Sequence, residues 1–215
     1  MNSIQIKLNE VVSGREKLFI NIINDEKKII GLLRPLVVQD LQNDHIIGKL
    51  TDWRSRHMEK FLTQFTATPE RTRGWMRNVL FKNKGQMLFL IYVGETVVGH
   101  YGFKDLTADD VLLDNAMRGE QGGDARLLVY AGKAIVQWLF TVANVKKIRA
   151  EVLANNIPSI MMTTQIGFGN RTRHPIVKSI VNSETHWDLG VQDEDSPENS
   201  YCYKYFISNT ELNLS

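Results

Sequence analysis

Apolar positions recur at helical spacing through residues 127–142, where Leu127, Leu128, Ala131, Ile135, Trp138, Leu139 and Val142 share one stripe. Ahead of that helix, Val111, Leu112 and Leu113 form an apolar run that turns polar at Asp114, followed by the glycine-rich stretch G-E-Q-G-G-D. The pattern predicts strand, tight turn and helix over residues 111–140. The free N–H groups and positive dipole end of such a helix favour phosphate, although the same glycines also serve simply to make a tight corner. Residues 147–153 read as the next strand, parallel to the first because a whole helix separates them.

Elsewhere the pattern is mostly that of strands. Residues 4–8 alternate, and runs at 17–23 and 28–38 flank the turn composition N-D-E-K, with Pro35 predicting an edge or a bend. Residues 40–53 are spaced for a helix, and residues 57–65 carry Met58, Phe61, Leu62 and Phe65 on one face. Thr68-Pro69-Glu70 is a helix start. Residues 86–93 are nearly all apolar, as in a strand covered on both faces, and Gly94-Glu95 turns the chain into a partner strand at 96–103. A short helix begins near Asn156 and stops at Gly167, and residues 176–181, 185–189 and 201–207 alternate as antiparallel strands. With no repeat or linker, residues 1–215 read as one domain: a strand extension over 1–31 and a core over 32–207.

Composition narrows the function more than the fold. A net charge of +2 points to neither nucleic acid nor an acidic membrane. The single cysteine, Cys202, suits a reducing compartment and sits in an alternating strand without a neighbouring histidine, the setting of a buried structural thiol. The apolar runs are far short of a membrane span, and the first residues lack a signal pattern, so a cytoplasmic protein is expected. His45, His57, His100, His174 and His186 show no ligand spacing, so no metal is expected. The lysine-hydroxyl pair of a P-loop and the G-x-G-x-x-G dinucleotide turn are both absent.

The order of elements, together with N-I-P-S-I-M-M-T-T-Q-I-G-F from Asn156 to Phe168, resembles the GNAT superfamily of acyl-CoA-dependent N-acyltransferases over residues 32–206. The resemblance implies an α/β fold with a mixed, centrally splayed sheet flanked by helices, here with an extra N-terminal strand pair. It implies acyl-CoA as co-substrate. Pantetheine would lie in the slot at Ala116, Met117 and Arg118 and beside Asn156 and Ser159, with the pyrophosphate on the amides of Gly123, Asp124, Ala125, Arg126, Leu127 and Leu128. Arg126 and Leu128 stand where the family's loop has small residues, and Arg126 is free either to offset the Asp124 charge or to reach solvent. Thr163 replaces the tyrosine that many relatives use to protonate the leaving thiolate. D-N-A-M-R-G-E, from Asp114 to Glu120, is similar to the branch that acylates dTDP-linked amino-deoxy sugars for surface polysaccharide, with acetyl or short hydroxyacyl groups.

Amine acylation needs a base, and the candidates, in order, are Asp114 and Glu120 at the polar end of the strand and His100 on the neighbouring strand. Trp53, Arg54, Trp75 and Arg77 lie on the helices that cover the acceptor in this family, where a ring suits thymine and a guanidinium suits diphosphate. Core packing explains Trp75 equally well. Rival readings are acylation of a protein N-terminus or another small amine, and a module that binds CoA or a nucleotide without turnover. The terminal strands can also serve a homodimer.

Overall fold

The computed structural model describes residues 3–182 and 184–210. The expected domain 1–215 and its N-terminus include residues 1, 2, 183 and 211–215, which lie outside the described residues. The chain opens on helix α1 (Ser3–Val12), where alternation predicts a strand. Ile4, Leu8 and Val11 are buried, whereas Ile6 is 49% exposed. The core-facing spacing of four and three is helical, and a window stopping at Leu8 is too short to show it. The extension ahead of the core is therefore a helix and one strand, β1 (Ile20–Ile23), hairpinned to β2 (Ile29–Pro35). β2 is an interior strand between β1 and β4, and Pro35 closes it beyond the last residue that β1 pairs.

Helix α2 (Asp44–Arg56) follows a short 3-10 turn and starts at Asn43, whose side chain accepts from the Ile46 amide at 3.2 Å. Residues 57–65 are not a single apolar face. They form another 3-10 turn (Met58–Lys60) and then β3 (Thr63–Gln64). Helix α3 (Pro69–Trp75) begins as predicted, with the Thr68 hydroxyl accepting from the Arg71 amide at 3.2 Å, and runs on into a π turn at Met76–Leu80. Next come β4 (Met87–Val93), β5 (Thr96–Lys104) and β6 (Asp110–Arg118), then α4 (Leu127–Thr141), β7 (Lys147–Leu153) and α5 (Ile157–Ile166). The chain finishes with β8 (Asn170–Val181), β9 (Glu184–Leu189) and β10 (Tyr201–Ser208).

The ten strands make one open sheet in the order β1-β2-β4-β5-β6-β7-β10-β8-β9-β3, antiparallel except where β6 meets β7. β4 explains the two-sided core. Met87, Phe89 and Ile91 join α1 and α4 on one face, while Leu88 and Leu90 join Ile46, Ile47, Trp53 and Met76 of the α2–α3 layer on the other. On α4 the stripe of Leu127, Ala131, Ile135, Trp138 and Leu139 is buried, each large member contributing about 1.5–3 kcal/mol. Val142 lies past the helix end and is 45% exposed. This is the mixed α/β fold that the sequence implies, with its splay between β6 and β7.

Candidate active site

β6 and β7 pair only from Asp110↔Lys147 to Leu113↔Ala150. Beyond that point β6 bends away. Asn115 takes a positive φ of 55°, and between Gly102↔Asp114 and His100↔Met117 it is the extra residue of a bulge. The His100 imidazole holds the bulge by a 2.7 Å bond from Nδ1 to the Asn115 carbonyl. β7 cannot follow, because β10 pairs it as far as Leu153↔Cys202. A slot opens between the strands, with Ala116, Met117 and Arg118 on the β6 side, and Asp114 is the first residue past the fork.

The turn after β6 has Gly122 at φ 120° and Gly123 at φ 71°, conformations that favour glycine. Asp124 caps the approach to α4, its Oδ1 accepting from the Arg126 amide at 2.7 Å and its carbonyl from the Leu127 amide at 3.1 Å. The amides of Gly123 and Ala125 have no partner among the described residues. Arg126 donates to Asp25 Oδ2 at 2.7 Å, and the Tyr130 hydroxyl donates to the same oxygen at 2.8 Å. The Arg126 side chain is thus held by the β1–β2 turn. Leu127 is buried under the sheet, and Leu128 is half-buried. Across the slot, Asn156 caps α5 through the Ser159 amide at 3.4 Å, and Thr163 is buried in that helix.

The three base candidates differ sharply. Asp114 lines a narrow cleft with Trp75, Gln86, Lys104 and Asn115, and its Oδ2 lies 3.2 Å from Lys104 Nζ and 2.9 Å from Asn115 Nδ2. Glu120 Oε1 accepts from both Lys49 Nζ and Trp53 Nε1, each at 3.0 Å, and these bonds hold its carboxyl below the usual range. His100 is buried, and burial pushes it down to about 4, leaving a neutral imidazole that is a weak proton acceptor.

The acceptor candidates also separate. Trp53 is fully buried against His100, with ring centroids 5.9 Å apart, so its indole packs the core and has no face open to solvent. Trp75 lines the Asp114 cleft, whereas Arg77 is exposed and is not part of its lining. The Arg54 guanidinium sits 3.5 Å from the Phe61 ring centroid and 5.0 Å from that of Phe65 and donates from Nη2 to the Thr63 carbonyl at 2.7 Å. Its buried Nε has no partner among the described residues, and burial lowers the group to about 10, partly opposed by the Asp114 charge. Lys104, Gln86 and Lys49 are contributors that sequence reasoning missed. Only Lys104 left a trace, as a charge closing an apolar strand. Cys202 is buried and pushed up to about 12 by desolvation, an inert thiol. Among the described residues no group of His, Cys, Asp and Glu is gathered for a metal ion, and no helix is long and apolar enough to cross a membrane.

An opened strand edge that leads to unpaired amides at a helix start is the arrangement that the sequence resemblance implies for an acyl-CoA-dependent N-acyltransferase. Such an edge has free backbone groups of the kind an extended, amide-bearing arm pairs with, and free amides at a helix start favour phosphate. The family described as "Acetyltransferase (GNAT) domain" matches residues 32–169, and the chain belongs to it. No curated protein matches the chain by sequence. Among solved structures, a probable GNAT-family acetyltransferase from Chromobacterium violaceum superposes with a TM-score of 0.63 at 12% identity, covering 89% of this chain and 87% of that one. A GNAT-family acetyltransferase from Bacillus anthracis gives 0.61 at 18% identity, with 90% and 100% covered. The spermidine N-acetyltransferase of Vibrio cholerae, solved with CoA and spermine, gives 0.58 at 12% identity, with 86% and 98% covered.

Proposed function

We propose that the enzyme moves an acetyl or short hydroxyacyl group from CoA to the amine of a nucleotide-linked amino-deoxy sugar by direct attack. Asp114 at the fork of β6 and β7 carries this reading: it puts a carboxylate in a cleft beside the slot that would hold the thioester. Asp114 takes the proton as the amine nitrogen forms its bond to the thioester carbon. A slot amide of Ala116, Met117 or Arg118 steadies the developing oxyanion. The C–S bond then breaks, and the thiolate takes a proton from solvent, because Thr163 is no acid.

The acceptor class is supported by charge. Lys104 is paired with Asp114, and behind the cleft Arg54, close enough to feel the Asp114 charge, has no carboxylate partner among the described residues. A polyamine would meet like charge there, whereas the diphosphate of a nucleotide sugar would meet attraction. The D-N-A-M-R-G-E segment points the same way. The reading makes residues 1–215 one catalytic domain working where acyl-CoA is available, in the cytoplasm. Purified protein should release free thiol from acetyl-CoA when a dTDP-amino sugar is added. Release only with spermidine or with an N-terminal peptide would reject the sugar.

A further inference from the structure

Three consecutive residues at the end of β6 explain one another. Gly119 is buried, and a Cβ there would lie 2.0 Å from Trp53 Cε2, so only glycine lets the indole in. Glu120 accepts from that indole and from Lys49, both on α2. The Arg118 side chain turns the other way, into the glycine turn. Its Nη1 donates to the Asp124 carbonyl at 2.6 Å, its Nε to the Glu120 carbonyl at 3.4 Å, and its Nη2 to the Gly122 carbonyl.

A backbone seat for an anion must send its carbonyls one way and its amides the other. The guanidinium collects three carbonyls of this turn, and the Gly123 and Ala125 amides are left unpaired. It also places a fixed positive charge behind the seat. We propose that the Arg118 side chain is a positioning residue that shapes residues 119–125 into the seat for the CoA diphosphate, doing by side-chain bonds what small residues do in the family's usual loop. This rests on acyl-CoA being the donor. All three bonds of the Arg118 guanidinium go to carbonyls of the turn, so its influence is placed at the diphosphate end of the donor.

The test compares two donors that share a thioester and differ in the diphosphate: acetyl-CoA and acetyl-pantetheine. In Arg118→Gln the KM for acetyl-CoA should rise about 10- to 100-fold, the scale of losing charge-assisted hydrogen bonds, with the acceptor KM unchanged. Arg118→Lys, which keeps the charge without the fork, should fall between Gln and wild type. The ratio of kcat/KM for acetyl-CoA to that for acetyl-pantetheine should fall about 10- to 100-fold, since only the first donor has a diphosphate to lose. An equal loss on both donors would mean general damage to the fold and would overturn the proposal, as would an unchanged KM for acetyl-CoA. Wild-type protein that shows no calorimetric binding of CoA would overturn the acyl-CoA reading together with it.

Discussion

Gly119→Ala adds one methyl group where the structure has no room for it. The new carbon would lie 2.0, 2.1 and 2.4 Å from Cε2, Cδ2 and Nε1 of a fully buried Trp53. Ordinary carbon–carbon contact is about 3.5–4.0 Å, so the indole must retreat by roughly 1.5 Å or more. Its retreat is opposed by His100, whose ring centroid is 5.9 Å away, and it stretches the 3.0 Å bond from Nε1 to Glu120. Overpacking costs about 1–3 kcal/mol, and a buried donor left unsatisfied costs about 1–3 more. The sum of about 2–6 kcal/mol is a large part of a typical stability of about 5–15 kcal/mol. At about 2–4 °C per kcal/mol for a chain of this size, the midpoint should fall by roughly 5–20 °C in a thermal melt. Adding Trp53→Phe to Gly119→Ala should recover part of the loss, because a smaller ring clears the methyl, and the double-mutant cycle measures that coupling. A Gly119→Ala melt that coincides with wild type would refute the close approach itself.

Asp114→Asn should lower kcat by about 10²–10⁴ at neutral pH while leaving the KM for acetyl-CoA unchanged, the signature of a lost base, checked by steady-state thiol release. Glu120→Gln should leave the kcat–pH profile in place and instead raise the acceptor KM, since it loosens α2 rather than removing a proton acceptor. His100 gives a pH signature: its ordinary value is 6.5 and its folded value is about 4, so between these the unfolded chain binds more protons than the folded one. Its contribution is complete above pH 6.5 and is lost as pH falls to 4, up to about 3 kcal/mol at 1.36 kcal/mol per unit. His100→Asn should flatten the slope of stability over that window in urea titrations, and an unchanged slope would mean that the imidazole is not held neutral.

Much of this was legible in the sequence because it rests on local periodicity. The α4 stripe, the unbroken apolar run of β4 and the parallel order of β6 and β7 all follow from spacing and connection length. The fork came from the family resemblance, while Asp114 was legible as the point where an apolar strand turns polar. What escaped was decided by distant partners. β3 is two residues long and exists because Thr63 and Gln64 pair with His186 and Thr185, far along the chain. Phe61 and Phe65 read as a helical face, yet they flank a guanidinium. Trp53 looked like a ligand platform because an indole carries no sign of its burial, and Arg118 entered the site by its amide alone because no spacing rule predicts three long-side-chain bonds to carbonyls. α1 was missed for a simpler reason: five alternating residues fit two periods.

The placement of β10 has a consequence for synthesis. Among the described residues it is the last strand in sequence, yet it lies inside the sheet, between β7 and β8. Until Tyr201–Ser208 leaves the ribosome, one edge of β7 and the first half of β8 have bare backbone groups, and the slot has only one fixed wall. Completion of the sheet around the slot therefore waits for β10, and until then those bare edges are templates for pairing with a neighbouring chain.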